Sequence, residues 1–98
     1  MKYNFQSQIL DINNAPMRLP NGVEATYGDV VLTALLAHLN EPGDVKMRAY
    51  KLAQEIVKSP SAEFSIEDVA FIKERVGAVL SPIEVGRVSD FLEGKECK

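Results

Sequence analysis

TYGDVVLTALLAHLN, residues 26–40, is the most apolar stretch of the chain, and the other segments must be arranged around it. Thr26 followed by Asp29 is a T-x-x-D variant of the capping box, so the stretch opens as a helix. At about 100° per residue, Asp29, Thr33 and Asn40 share one narrow polar sector. Val30, Val31, Leu32, Ala34, Leu35, Leu36, Ala37 and Leu39 cover almost all the remaining circumference. A helix apolar nearly all round needs neighbours on several sides. Its run is also shorter than the roughly 20 residues that span a bilayer. The expectation is a buried central helix in a small domain.

Upstream, residues 2–12 (KYNFQSQILDI) place Tyr3, Phe5 and Ile9 on one side of a strand alternation and Asn4, Gln6 and Gln8 on the other. That pattern suits a half-buried strand. Asn13-Asn14 is a turn signal, because Asn tolerates positive φ. Met17-Arg18-Leu19 would return as the second strand of a hairpin, with Pro16 and Pro20 assigning it to an edge. Val23 to Ala25 is a candidate third strand.

Downstream, Pro42-Gly43 breaks the first helix and Asp44 is placed to cap the next. Residues 45–58 read as amphipathic: Val45, Ala49, Tyr50, Leu52, Ala53, Ile56 and Val57 take one half of the wheel and Arg48, Lys51, Gln54, Glu55 and Lys58 the other. Ser65 with Asp68 caps a third helix over residues 66–79, stapled by Phe64 and Val69. Its buried stripe is Val69, Ile72, Val76, Val79 and Leu80, with Phe71 pointing away. Ser81, Pro82 and Glu84 start a fourth helix over residues 82–93, which buries Val85, Val88, Leu92 and Phe91 and stops at Gly94. Gly77 and Gly86 inside these helices mark either close helix contact or plain tolerance. The fold class expected is α+β: an N-terminal β-hairpin packed on about four helices. Residues 1–98 form a single domain, divided into a hairpin region (1–25), a helical region (26–94) and a frayed tail (95–98).

Ninety-eight residues at 46% apolar content suffice for one core without disulfides or metal. The single cysteine, Cys97, cannot form an internal disulfide, and its place in the tail points to a passive thiol. No secretory signal opens the chain, so a cytoplasmic product is expected. A net charge of −3 supplies no general drive toward nucleic acid or anionic membrane.

His38, the one histidine, falls in the middle of the apolar arc. The expectation is a neutral imidazole hydrogen-bonded to a carbonyl, with a buried base or pH switch as the alternative. No nucleophile or carboxylate is placed beside it, no catalytic dyad or calcium loop is spaced correctly, and the glycines are dispersed. No catalytic residue, cofactor or metal site is therefore assigned, and the chain is not expected to be an enzyme. Lys46, Arg48, Lys51 and Lys58 bias the second helix toward phosphate contact, although Lys46 stands off the common stripe. Phe71 and the hairpin edge, with Tyr3, Phe5 and Arg18, are the candidates for protein contact.

The hairpin followed by TYGDVVLTALL (26–36), YKLAQEI (50–56) and FIKERVGAVLSPIEVGRVSDFLE (71–93) resembles small, mostly uncharacterised proteins of tailed bacteriophages and prophages. The resemblance implies an intracellular product, in the host cytoplasm or assembled into a virion, that acts by binding protein. It carries over no functional residue. The function expected is a non-enzymatic protein-interaction module, either an accessory, an assembly factor or a host-factor binder, with a protein partner or self-association and no membrane. A nucleic-acid-associated regulator using the basic helix face ranks second.

Overall fold

A computed structural model describes residues 2–59 and 61–94. Among these the chain is mostly helical, in the order β1 (Lys2–Asn4), α1 (Tyr27–Leu35), α2 (Gly43–Lys58), β2 (Ser61–Glu63), α3 (Ile66–Val79) and α4 (Pro82–Leu92). Helix α1 packs against α2, α3 and α4. The Cα radius of gyration of 12.8 Å matches the roughly 13 Å of a compact body of about 100 residues. No described helix is long and apolar enough to cross a membrane.

The later helices follow their local signals. Ser65 Oγ accepts from the Asp68 N–H at 3.1 Å to start α3. Phe64 and Val69 are both buried beside that cap, as a staple requires. At α4, Pro82 occupies the first turn, and the Glu84 carboxylate accepts from the Ser81 backbone N–H and hydroxyl. Gly94 ends that helix at φ +74, a conformation that favours glycine. Helix α2 instead begins at Gly43 with no side-chain cap, and Asp44 lies inside its first turn. The tail and Cys97 lie outside the described residues.

The N-terminal hairpin does not form. β1 pairs antiparallel with β2, from between α2 and α3, with Tyr3 opposite Ala62. Residues 7–26 make only isolated bridges, Gln8 to Thr26, Leu10 to Pro16 and Arg18 to Glu24. The reason is a closed ring of three backbone bonds. Met17 N–H donates to Ile9 O (3.0 Å), Ile9 N–H to Ala25 O (3.2 Å), and Ala25 N–H to Met17 O (2.7 Å). Each bond of the ring is one of the two that flank an isolated antiparallel bridge, the other being Asp11 N–H to Ala15 O, Tyr27 N–H to Ser7 O or Leu19 N–H to Val23 O. Each of the three segments thus pairs with both of the others over a single rung, and no two extend into a ladder. The Asn turn is present, with Asn14 at φ 63.

Tyr3, Phe5 and Ile9 do share a buried side. Phe91 stands between Tyr3 (5.5 Å), Phe5 (5.3 Å) and Tyr27, on which it stacks at 4.1 Å and 10°. Phe64 meets Phe5 edge-on at 5.8 Å. These five rings join the N-terminal segment to α1, α4 and the start of α3.

Glycine matters at Gly28. A Cβ there would lie 3.0 Å from Phe5 O and 3.3 Å from Phe5 Cβ, whereas at Gly77 and Gly86 it would meet nothing within 4 Å. Close helix contact is thus not what Gly77 and Gly86 serve. In urea denaturation, Gly28→Ala should destabilise by about 1–3 kcal/mol. Gly77→Ala and Gly86→Ala should each stabilise by up to about 1 kcal/mol. The buried Tyr3 hydroxyl donates to Leu92 O at 2.7 Å, and burial raises its pKa above the ordinary 10.0. The native state therefore favours the protonated phenol. Its contribution is complete below about pH 10 and declines as pH rises through the raised native value. Tyr3→Phe should cost about 1 kcal/mol at neutral pH and flatten the loss of stability measured above pH 10.

Candidate protein-binding groove

Helix α1 is only nine residues long, ending at Leu35 rather than near Asn40. Its termination comes from α3. The Arg75 side chain, with the residue 5% exposed, donates from Nε to Ala34 O (3.2 Å) and from Nη2 to Leu35 O (2.9 Å) and Ala37 O (3.3 Å). Its Nη1 pairs with Glu41, itself largely buried. A cation is favourable at a helix C-terminus, where carbonyls lack intrahelical partners. The chain after Leu36 leaves the helix and brings Glu41 back onto the guanidinium.

This early stop corrects the expected placement of His38. It stands beyond the helix, exposed in the α1–α2 connection beside Lys46 and Leu36. The wheel argument does not apply to a residue past the helix end. Complete burial of α1 is corrected as well. Val30, Val31, Ala34 and Leu35 are buried, but Leu32 is only half-buried and Leu36 is 61% exposed.

Across from them on α2, Tyr50 is 50% and Val57 71% exposed. Ala53 lies between as the floor, and Gln54, Glu55 and Lys58 form the margin of a groove of about 540 Å³. Gln54 donates to the Tyr50 hydroxyl at 3.0 Å, fixing that ring at the groove wall. Beyond Leu32 and Val57 the apolar surface continues to Val23. Beyond Leu36 and Tyr50 it reaches His38 and Lys46.

The residues singled out from the sequence are dispersed. Tyr3 and Phe5 are core residues and offer no contact surface. Arg18 is exposed but engaged locally, with Gly22 O at 2.9 Å and Glu24 at 3.6 Å. Phe71 is half-buried, with the Arg48 guanidinium 4.8 Å from its centroid. Arg48 also pairs with Asp68 at 3.3 Å, so it is held on the α3 side, away from Lys46 and Lys58. The four cations do not converge on one phosphate site.

Leu32, Leu36, Tyr50 and Val57 were not singled out as a site, although all carry signals. Tyr50 and Val57 are seven residues apart on one helix face. A short helix apolar all round has more sides than its neighbours can cover. Among the described residues no group of three or more His, Cys, Asp or Glu side chains could hold a metal ion.

Comparison with known proteins finds no matching family model, curated protein or solved structure.

Arg75 holds the groove's upper wall in place, and its removal leaves Glu41 and three carbonyls without their donor. Arg75→Ala should cost about 3–5 kcal/mol in urea denaturation. Arg75→Lys should recover part of that, since an ammonium lacks the fork that reaches several acceptors at once.

Proposed function

We propose that this chain is a non-enzymatic protein-binding module whose α1–α2 groove receives an amphipathic helix from a partner protein. The observation that carries the proposal is the exposure of Leu36, Tyr50 and Val57, with half-buried Leu32 beside them, around a recessed Ala53. A contiguous apolar surface with a polar margin marks an interaction site more often than scattered exposed residues do. Two packed helices with such a furrow suit a third helix, whose apolar residues enter at i, i+3 or i+4, and i+7. Accessory, assembly or host-binding proteins of phages, the setting implied by the sequence resemblance, work through contacts of this kind.

Nucleic-acid binding is the second reading, favoured by Lys46, Lys51 and Lys58, which take part in none of the described ion pairs. The engagement of Arg48 with Asp68 and Phe71 weakens it.

Leu36→Gln and Val57→Gln change exposed positions, so each should alter folding stability by no more than about 0.5 kcal/mol. Fluorescence anisotropy with a labelled amphipathic peptide, leucines at helical spacing and mixed charges elsewhere, tests the groove. Each substitution should weaken binding about tenfold, equivalent to roughly 1.4 kcal/mol. Equal binding by both variants and the parent chain would place the site elsewhere.

A further inference from the structure

The charges around the groove say more about its occupant, given the reading of the groove as a helix-binding site. On α2, Met47, Tyr50, Gln54 and Val57 recur at 3-4-3 spacing, one seam of a coiled-coil pattern. All four are exposed. Lys46, Lys51 and Lys58 take flanking positions beside that seam, where charged residues select the partner. Lys46 lies at the Leu36–Tyr50 end and Lys58 at the groove itself, roughly 18 Å apart along α2 at the helical rise. The opposing charge at the groove margin is Glu55, while Lys51 faces a separate recess that it shares with Arg48, Asp44 and Asp68. Lys46 and Lys58 stand on opposite flanks of the seam, on a chain whose net charge is −3.

We infer that the partner helix carries a carboxylate-rich polar face beside its apolar stripe, placing Asp or Glu opposite Lys46 and Lys58. A second copy of this chain is a poorer occupant. In a two-fold contact through this face the same patch meets itself, so each lysine set would confront its own like charges. Nucleic acid is also a poorer occupant, because Leu32, Leu36, Tyr50 and Val57 would present apolar surface where phosphates need donors. The distinction is electrostatic at exposed sites, so it should weaken with salt as the screening length falls below about 10 Å.

The test uses two fluorescein-labelled peptides of about 16 residues, long enough to match α2. Their leucines are identical, and the flanking positions are glutamate in one and lysine in the other. At low salt the glutamate peptide should bind the full chain at least about tenfold more tightly than the lysine peptide. The gap should narrow at high salt, and the Lys46→Glu/Lys58→Glu chain should reverse the preference. Equal binding of both peptides, weakened for both by Leu36→Gln, would overturn the carboxylate inference while leaving the groove reading intact. Failure of both peptides, with salt-sensitive binding of duplex DNA that Lys46→Glu/Lys58→Glu abolishes, would overturn both in favour of nucleic acid. A dimer in light scattering that Leu36→Gln dissolves would make a second copy the occupant and overturn the inference.

Discussion

Helix α1 is held at both ends by parts of the chain remote in sequence, and the remaining architecture depends on that double grip. Nine residues fall below the roughly 12–15 at which an isolated helix becomes even marginal in water. At its start, Thr26 and Asp29 bond each other's backbone N–H groups at 3.2 and 3.0 Å. The next two free donors are taken by the N-terminal segment, Tyr27 N–H by Ser7 O at 2.9 Å and Gly28 N–H by Phe5 O at 2.8 Å. At its end, Arg75 takes the carbonyls of Ala34, Leu35 and Ala37. Gly28 is part of the same constraint, because only a missing Cβ lets the Phe5 backbone approach so closely.

The parts of the fold that could be read directly are those whose boundaries are decided within a few residues. Phe64, Ser65, Asp68 and Val69 locate the start of α3, and Ser81, Pro82 and Glu84 that of α4, because caps and staples are local contacts. The opening of α1 was legible for the same reason. Its close was not, since Leu35 is followed by further helix-compatible residues and the stop is imposed by Arg75, 40 positions away. Arg75 did leave a trace, three residues after Ile72 and four before Val79, on the apolar arc of α3. The hairpin failed through another non-local effect. The alternation of Tyr3, Phe5 and Ile9 reported burial correctly, but burial does not name a hydrogen-bond partner. Tyr3 found its partner strand in β2, whose sequence, Ser-Ala-Glu, has no strand signal of its own.

The groove was half legible. The near-complete apolar circumference of α1 was visible, as was the breadth of the apolar arc on α2 that includes Tyr50 and Val57. Sequence patterning treats every apolar position as a demand for cover. It does not tell which demand the chain itself meets and which is left to another molecule. Leu36 and Val57 belong to the second kind, and only the packing of α3 and α4 against the opposite side of α1 separates them from Val31 and Ala34.

The position of the groove follows from a conflict over acceptors. Were α1 to continue to Asn40, the carbonyls of Ala34 and Leu35 would receive the N–H groups of His38 and Leu39. Arg75 would then share two acceptors with backbone donors while remaining buried, and a poorly paired buried cation is costlier than a truncated helix. Stopping at Leu35 satisfies the guanidinium and lets Glu41 reach it. The same stop leaves Leu36 as the last residue on the helix axis, turned toward Tyr50 with no further turn to cover it. An uncovered furrow between α1 and α2 is therefore a consequence of how Arg75 is accommodated in the core. Its walls stand on helices gripped at both ends or embedded along one face, which gives the precise and rigid support that a binding surface needs.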